Sequence, residues 1–190
     1  MKRALCAIAA AGLLAAACGG AAAPVVTSAP AAVKTAAPTT AAPTPQTVYV
    51  FTADMTAANE VPPVVDAEAT GSGTTTVTLT TTKDSTGKIT AAIAKFEIVL
   101  KGFPATTMIT ISHIHKGGPT VAAGVVIDSG MKATEPITLT TGGTSITKDN
   151  LAVAGDLAAD IIANPGNYYY NVHSDKNKGG VVRAQLKLKA

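Results

Sequence analysis

From residue 73 to residue 80 the chain reads Gly-Thr-Thr-Thr-Val-Thr-Leu-Thr, so Val77 and Leu79 alternate with threonines. Successive side chains of a strand point to opposite faces, and this period suits a strand that is buried on one side and wet on the other. Asp84-Ser-Thr-Gly87-Lys88 then supplies turn chemistry, and residues 89–100 run back. Two such runs about a turn predict a β-hairpin. Shorter runs at 48–51, 108–115, 124–128, 137–141, 168–173 and 181–188 predict further strands, in a composition rich in Thr, Val, Ile and Gly. One stretch follows a different period. Leu151, Ala154, Leu157, Ala158, Ile161 and Ile162 fall at helical spacing, with Asp156 and Asp160 off that face. Asp149 or Asn150 caps its start and Asn164-Pro165-Gly166 ends it. The expectation is an all-β domain: an antiparallel sandwich or partly open barrel, with one short helix at about residues 150–163.

The N-terminus has a different character. Lys2 and Arg3 precede an apolar run, residues 4–14, too short to span a bilayer comfortably, and Ala15-Ala16-Ala17-Cys18 follows. Residues 1–17 read as a signal peptide. Leu14-Ala-Ala-Ala-Cys18 resembles a bacterial lipoprotein processing box, which makes Cys18 the lipidated first residue, although the usual leucine position holds Ala15. Ordinary small-residue cleavage, giving a freely secreted chain, is the alternative. Cys6 lies in the removed run, so Cys18 alone remains and no internal disulfide forms. Residues 18–46 are nearly all Ala, Pro, Thr, Val and Gly, with Lys34 the only charge. Such a segment lacks the large apolar groups needed for a core and reads as a tether. Residues 47–190 then make one domain of ordinary size. The expected location is the extracytoplasmic face of a bacterial membrane, with the membrane as a partner through the lipid on Cys18.

Fifteen basic and 12 acidic residues give a net charge of +3, which falls to about +1 without Lys2 and Arg3. That balance argues against a nucleic-acid partner, which calls for a clustered basic face.

Chemistry concentrates in the chain's three histidines. They lie in Ser112-His113-Ile114-His115-Lys116-Gly117 and in Tyr170-Asn171-Val172-His173-Ser174. In a strand, His113 and His115 project from one face. If His173 comes from a neighbouring strand, three imidazoles converge, a ligand set suited to copper or zinc. Ile109 and Ile111 share that face by parity, which sets the pair at the edge of the core. Asn171 or Asp175 can orient a ligand histidine from behind. The competing reading has the same histidines hydrogen-bonding each other or backbone carbonyls and pinning two strands together. Arg183 serves an anion near the histidines or pairs with Asp175 or Glu97. Asn59-Glu60-Val61-Pro62-Pro63 forces an extended path. It is either a rigid lip with Glu60 as a polar contact, or a strand terminator whose Asn59 and Glu60 satisfy backbone. No Gly-x-Ser-x-Gly elbow is present for nucleophilic catalysis.

Four motifs occur in an order that resembles the CHRD domain, the module named for chordin. They are Phe51-Thr-Ala-Asp-Met55 leading into Asn59-Glu60-Val61-Pro62-Pro63; His113-Ile-His115-Lys-Gly117; Asn164-Pro165-Gly-Asn-Tyr168 with Tyr170-Asn171-Val172-His173-Ser174; and Gly179-Gly180-Val-Val-Arg183-Ala-Gln185-Leu186. Ala184 stands where glycine is common and Ser174 where threonine is common. The resemblance implies an immunoglobulin-like, Greek-key β-sandwich. In animals it accompanies growth-factor antagonism outside the cell, which reaches a bacterial lipoprotein only as fold-level analogy. His-x-His, a later His and Gly-Gly-x-x-Arg also look like copper–zinc superoxide dismutase, but a fourth copper histidine, a zinc loop and a disulfide are missing. The expected function is therefore binding, of a transition metal at His113, His115 and His173. A structural or interaction module for an unknown extracellular protein is the alternative, and a dismutase-like redox enzyme is the third class.

Overall fold

The computed structural model describes residues 46–189; the expected signal peptide, Cys18 and all but the last residue of the tether lie outside the described residues. The strands are β1 (Gln46–Thr56), β2 (Ser72–Lys83), β3 (Ile89–Lys101), β4 (Met108–Lys116), β5 (Val125–Asp128), β6 (Ile137–Thr138), β7 (Thr144–Ala154), β8 (Tyr168–Ser174), β9 (Val182–Gln185) and β10 (Lys187–Leu188), with helix α1 (Gly155–Ala163) between β7 and β8. Pairing is antiparallel throughout, in the order β5-β4-β8-β9-β1-β2-β3-β7, with β6 on β4 and β10 on β1. The all-β expectation holds: the sheet is nearly closed and sandwich-like, with one short helix.

The predicted hairpin is β2–β3. Asp84 Oδ1 accepts from the backbone N–H of Thr86 and Lys88, and Gly87 takes the positive φ of 87° that the turn requires. A single bridge, Thr56 to Arg183, joins β1 to β9. It divides the sheet into two halves that face each other. The ring of Phe96 on β3 meets that of Tyr170 on β8 edge-on, with centroids 5.2 Å apart. Phe51, Val77, Leu79 and Ile98 bury themselves from one half, and Ile109, Ile114, Val172 and Val182 from the other. Each such side chain contributes about 1.5–3 kcal/mol of burial.

Two expectations need correction. The helix begins at Gly155, because Leu151 and Ala154 belong to β7 and pair with Ala94 and Ala91 of β3. Asp149 and Asn150 do not cap it. They fall where the β3–β7 register slips, and Asn150 takes φ 57°, a left-handed conformation that asparagine tolerates. Tertiary pairing with a long neighbouring strand here overrides the helical period at its first two positions, Leu151 and Ala154. The second correction concerns β4. Its register against β8 gains one residue between Ile109 and Ser112. This bulge turns Ile109 to the core side with Ser112 and Ile114, away from the histidines.

Candidate metal centre

The bulge leaves His113 and His115 on the sheet face that points away from the core. His113 stands opposite Asp128 of β5 and Asn171 of β8, and Asn171 stands opposite Arg183 of β9. His115 stands opposite Tyr169, itself opposite Gln185. Direct cross-strand partners share a face, so all these side chains form one polar surface, which His173 joins two residues beyond Asn171.

A loop, residues 117–124, covers that surface. Arg183 fastens it, donating to the carbonyls of Gly118 (3.1 Å), Pro119 (2.8 Å) and Val121 (3.1 Å). Gln185 Nε2 donates to the carbonyl of Gly117 at 2.9 Å, and the Ala123 N–H donates to the Tyr169 hydroxyl at 3.0 Å. Beneath the loop each of the three histidines is only 6% exposed.

Hydrogen bonds to backbone carbonyls fix the tautomers of His115 and His173. His115 Nδ1 lies 2.8 Å from the carbonyl of Ala123, and His173 Nδ1 lies 2.8 Å from that of Lys178. A carbonyl only accepts, so both Nδ1 atoms carry the proton and both Nε2 atoms present lone pairs. His113 Nδ1 is 3.3 Å from His173 Nε2, and on the other edge of its ring Nε2 is 3.5 Å from Asp128 Oδ2. With its proton on Nδ1, His113 bonds to His173. With its proton on Nε2, it faces Asp128 and turns a lone pair toward the cluster. His115 Nε2 is buried and has no partner.

One ligand atom from each of the three residues lies within 4.8 Å of the other two. Metal–nitrogen bonds of about 2.0–2.1 Å put ligand nitrogens about 3.3–3.6 Å apart, the spacing that His113 and His173 already show. Burial holds all three imidazoles below the ordinary histidine range, His173 at about 4; Asp128 opposes the effect at His113 and the Ala123 carbonyl opposes it at His115. They are neutral at neutral pH, the form that binds metals. The donor set, the tautomers and the orphaned nitrogen fit a transition-metal ion.

Residues 51–186 match the CHRD domain family, a span that holds β2 through β9 and all three histidines. The chain belongs to the CHRD-domain family. No curated protein and no solved structure matches it.

In this CHRD domain the other motif residues are placed as follows. Asn171 donates to Glu60 Oε2 at 3.5 Å and lies in the row between His113 and Arg183. Asp175 is outside the cluster: its backbone N–H bonds to the carbonyl of Met108, and the carboxylate beside a histidine is that of Asp128. Arg183 is 2% exposed and makes neither of the expected ion pairs; it holds the covering loop, and Glu97 pairs with Lys95. Its guanidinium carbon sits 3.8 Å above the Tyr169 ring, and that ring stacks on His115 at 4.7 Å. Asn59 satisfies backbone as expected, donating to the carbonyl of Arg183 at 3.1 Å. Glu60 is buried rather than exposed, with Oε1 unpartnered, and burial pushes its carboxyl up to about 7 against the pull of Arg183 and Asn171. Sequence reasoning missed Asp128 and the carbonyls of Ala123 and Lys178. Asp128 ends a predicted strand, but the pairing of β5 with β4, which brings it to His113, leaves no local signal.

Proposed function

We propose that this CHRD domain is a binding protein that holds one copper or zinc ion at His113 Nδ1, His115 Nε2 and His173 Nε2. The observation that carries the reading is the buried, unpartnered His115 Nε2 beside two further imidazole nitrogens. A buried polar atom without a partner is costly, and a coordinated ion satisfies it. The chain's own residues do the positioning. The carbonyls of Ala123 and Lys178 hold the protons of His115 and His173 away from the cluster, and Asp128 accepts from His113 Nε2 once Nδ1 turns to the ion. When bound, the ion supplies Lewis acidity and, if copper, one-electron chemistry.

The N-terminal sequence extends the proposal. Cleavage before Cys18 and lipidation of that residue anchor the chain, and residues 18–46 tether the domain outside a bacterial membrane. The mass of the mature N-terminal peptide tests this: a lipid adduct on Cys18 that Cys18→Ala abolishes is expected, and an unmodified N-terminus contradicts it.

The metal reading is tested by calorimetric titration of the chain from residue 18, carrying Cys18→Ser, with zinc and copper(II), beside a His113→Ala/His115→Ala double variant. One equivalent bound by the parent and none by a folded variant is expected. A second reading is favoured by the 3.3 Å contact between His113 and His173, which ties β4 to β8 without any ion. It predicts no stoichiometric uptake and a less stable double variant, and would direct the search to protein partners.

A further inference from the structure

We infer that the three-histidine site selects copper as copper(I), and that the buried Arg183 sets this preference. The inference rests on the proposed metal site and adds the ion's charge state.

The first ground is coordination number. His113, His115 and His173 are the members of the ligand cluster among the described residues. The nearest carboxylate, Asp128, cannot complete it. It approaches Nε2 of His113 at 3.5 Å, whereas Nδ1, on the other edge of the same ring, faces His173. Among the His, Cys, Asp and Glu side chains of the described residues, the cluster therefore offers three neutral nitrogens and no fourth ligand. Structural zinc sites close with four protein ligands, and a three-ligand zinc site keeps room for a water. Here the three histidines lie beneath the covering loop, each only 6% exposed. Monovalent copper shares the d¹⁰ shell of zinc but carries half its charge, and three neutral imidazoles satisfy it.

The second ground is charge. A guanidinium is protonated at every working pH. That of Arg183 is 2% exposed, donates only to neutral carbonyls, and has no carboxylate within ion-pair distance among the described residues. Its carbon lies 3.8 Å over Tyr169, whose ring stacks on the ligand His115 with an interplanar angle of 5°. Tyr169 belongs to β8, between the strands that carry His115 and Arg183, so a fixed cation, offset in part by the buried Glu60 carboxyl, stands one aromatic ring behind the proposed ligand His115. Its repulsion of a +2 ion is twice that of a +1 ion, in a region where the effective dielectric is low. The opposing charge of Asp128 is 61% exposed and screened by solvent.

The test uses the chain from residue 18 with Cys18→Ser, so that no thiol competes. Copper(I) is presented under dithionite against a chromophoric copper(I) chelator, and zinc against a zinc-binding dye, for the parent, Arg183→Gln and Arg183→Lys. The parent is expected to bind one copper(I) at least about 100-fold more tightly than zinc. Arg183→Gln should lower that ratio about tenfold by removing one unit of charge, and should lower the potential of bound copper in the same direction. Arg183→Lys keeps the charge and should keep the ratio, even where loss of the fork weakens both ions. If Arg183→Gln does not fold, the parent ratio and that of Arg183→Lys decide. Zinc binding as tight as copper(I) in the parent overturns the inference and leaves the metal site standing. An unchanged ratio in folded Arg183→Gln, or a collapsed ratio in Arg183→Lys, overturns the role of Arg183. No uptake of either metal removes the site and the inference together.

Discussion

Two backbone carbonyls, those of Ala123 and Lys178, decide which nitrogen of His115 and His173 is free, and a carboxylate can do the same for His113. Asp128 is 61% exposed, and the bond its Oδ1 accepts from the Gly130 N–H is one that asparagine also makes, so Asp128→Asn should leave the fold intact. Loss of a carboxylate behind a ligand histidine typically costs 10–100-fold in metal affinity, and about tenfold weaker binding is expected by calorimetry. Glu60 carries a separate, pH-dependent prediction. Its carboxyl titrates at about 7 in the folded chain, against 4.5 ordinarily, chiefly because burial disfavours the charge. Below about pH 4.5 both states hold the proton. Between about 4.5 and 7 the unfolded chain gives it up first, so the folded state binds more protons and stability falls as pH rises. Glu60→Gln should flatten that fall, read as the urea midpoint from pH 5 to pH 8. A midpoint profile identical to the parent's would show that Glu60 does not titrate in this window. The histidines were legible in the sequence because His-x-His at period two places both on one face. Asp128 was not, because register against a strand distant in sequence has no local mark.

At the scale of elements, the strand period at residues 73–80 and the turn at Asp84 state the β2–β3 hairpin almost outright. The helix is less plainly written. Its early alanines and Leu151 satisfy a helical and an extended reading alike, and the choice falls to pairing along β3. The junction that results is tight. A Cβ on Gly155 would lie 2.5 Å from the carbonyl oxygen of Ile89 and 2.7 Å from that of Thr90. Gly155→Ala should therefore destabilise the domain by about 1–3 kcal/mol, the usual cost of overpacking, seen as a lower urea midpoint. On the far end of α1, Asp160 accepts from Lys116 Nζ (2.6 Å), the Tyr168 hydroxyl (2.5 Å) and Asn164 Nδ2 (2.8 Å), fastening the helix to β4 and β8 beside the histidine strand. The β4 bulge is the element-scale event that matters most for function. One extra residue separates Ile109 from the histidine face, so Ile109 packs in the core while the histidines share the outer face.

Across the whole molecule, the two half-sheets divide the work. The inner faces make the core, and Phe96→Ala at its centre should cost about 3–5 kcal/mol while leaving the outer-face histidines in place. The outer face of β5-β4-β8-β9 carries the three histidines under a loop held by Arg183. Motif order was enough to give the family, and the period-two runs gave the fold class. The covering loop has no such signature, since its bonds run from side chains to backbone carbonyls. The central claim is that three imidazoles on that face hold one ion, and an anomalous difference map from a metal-loaded crystal tests it most directly. A single peak bonded to His113 Nδ1, His115 Nε2 and His173 Nε2 is predicted. A map with no peak there, the histidines still joined by their mutual hydrogen bond, would contradict it.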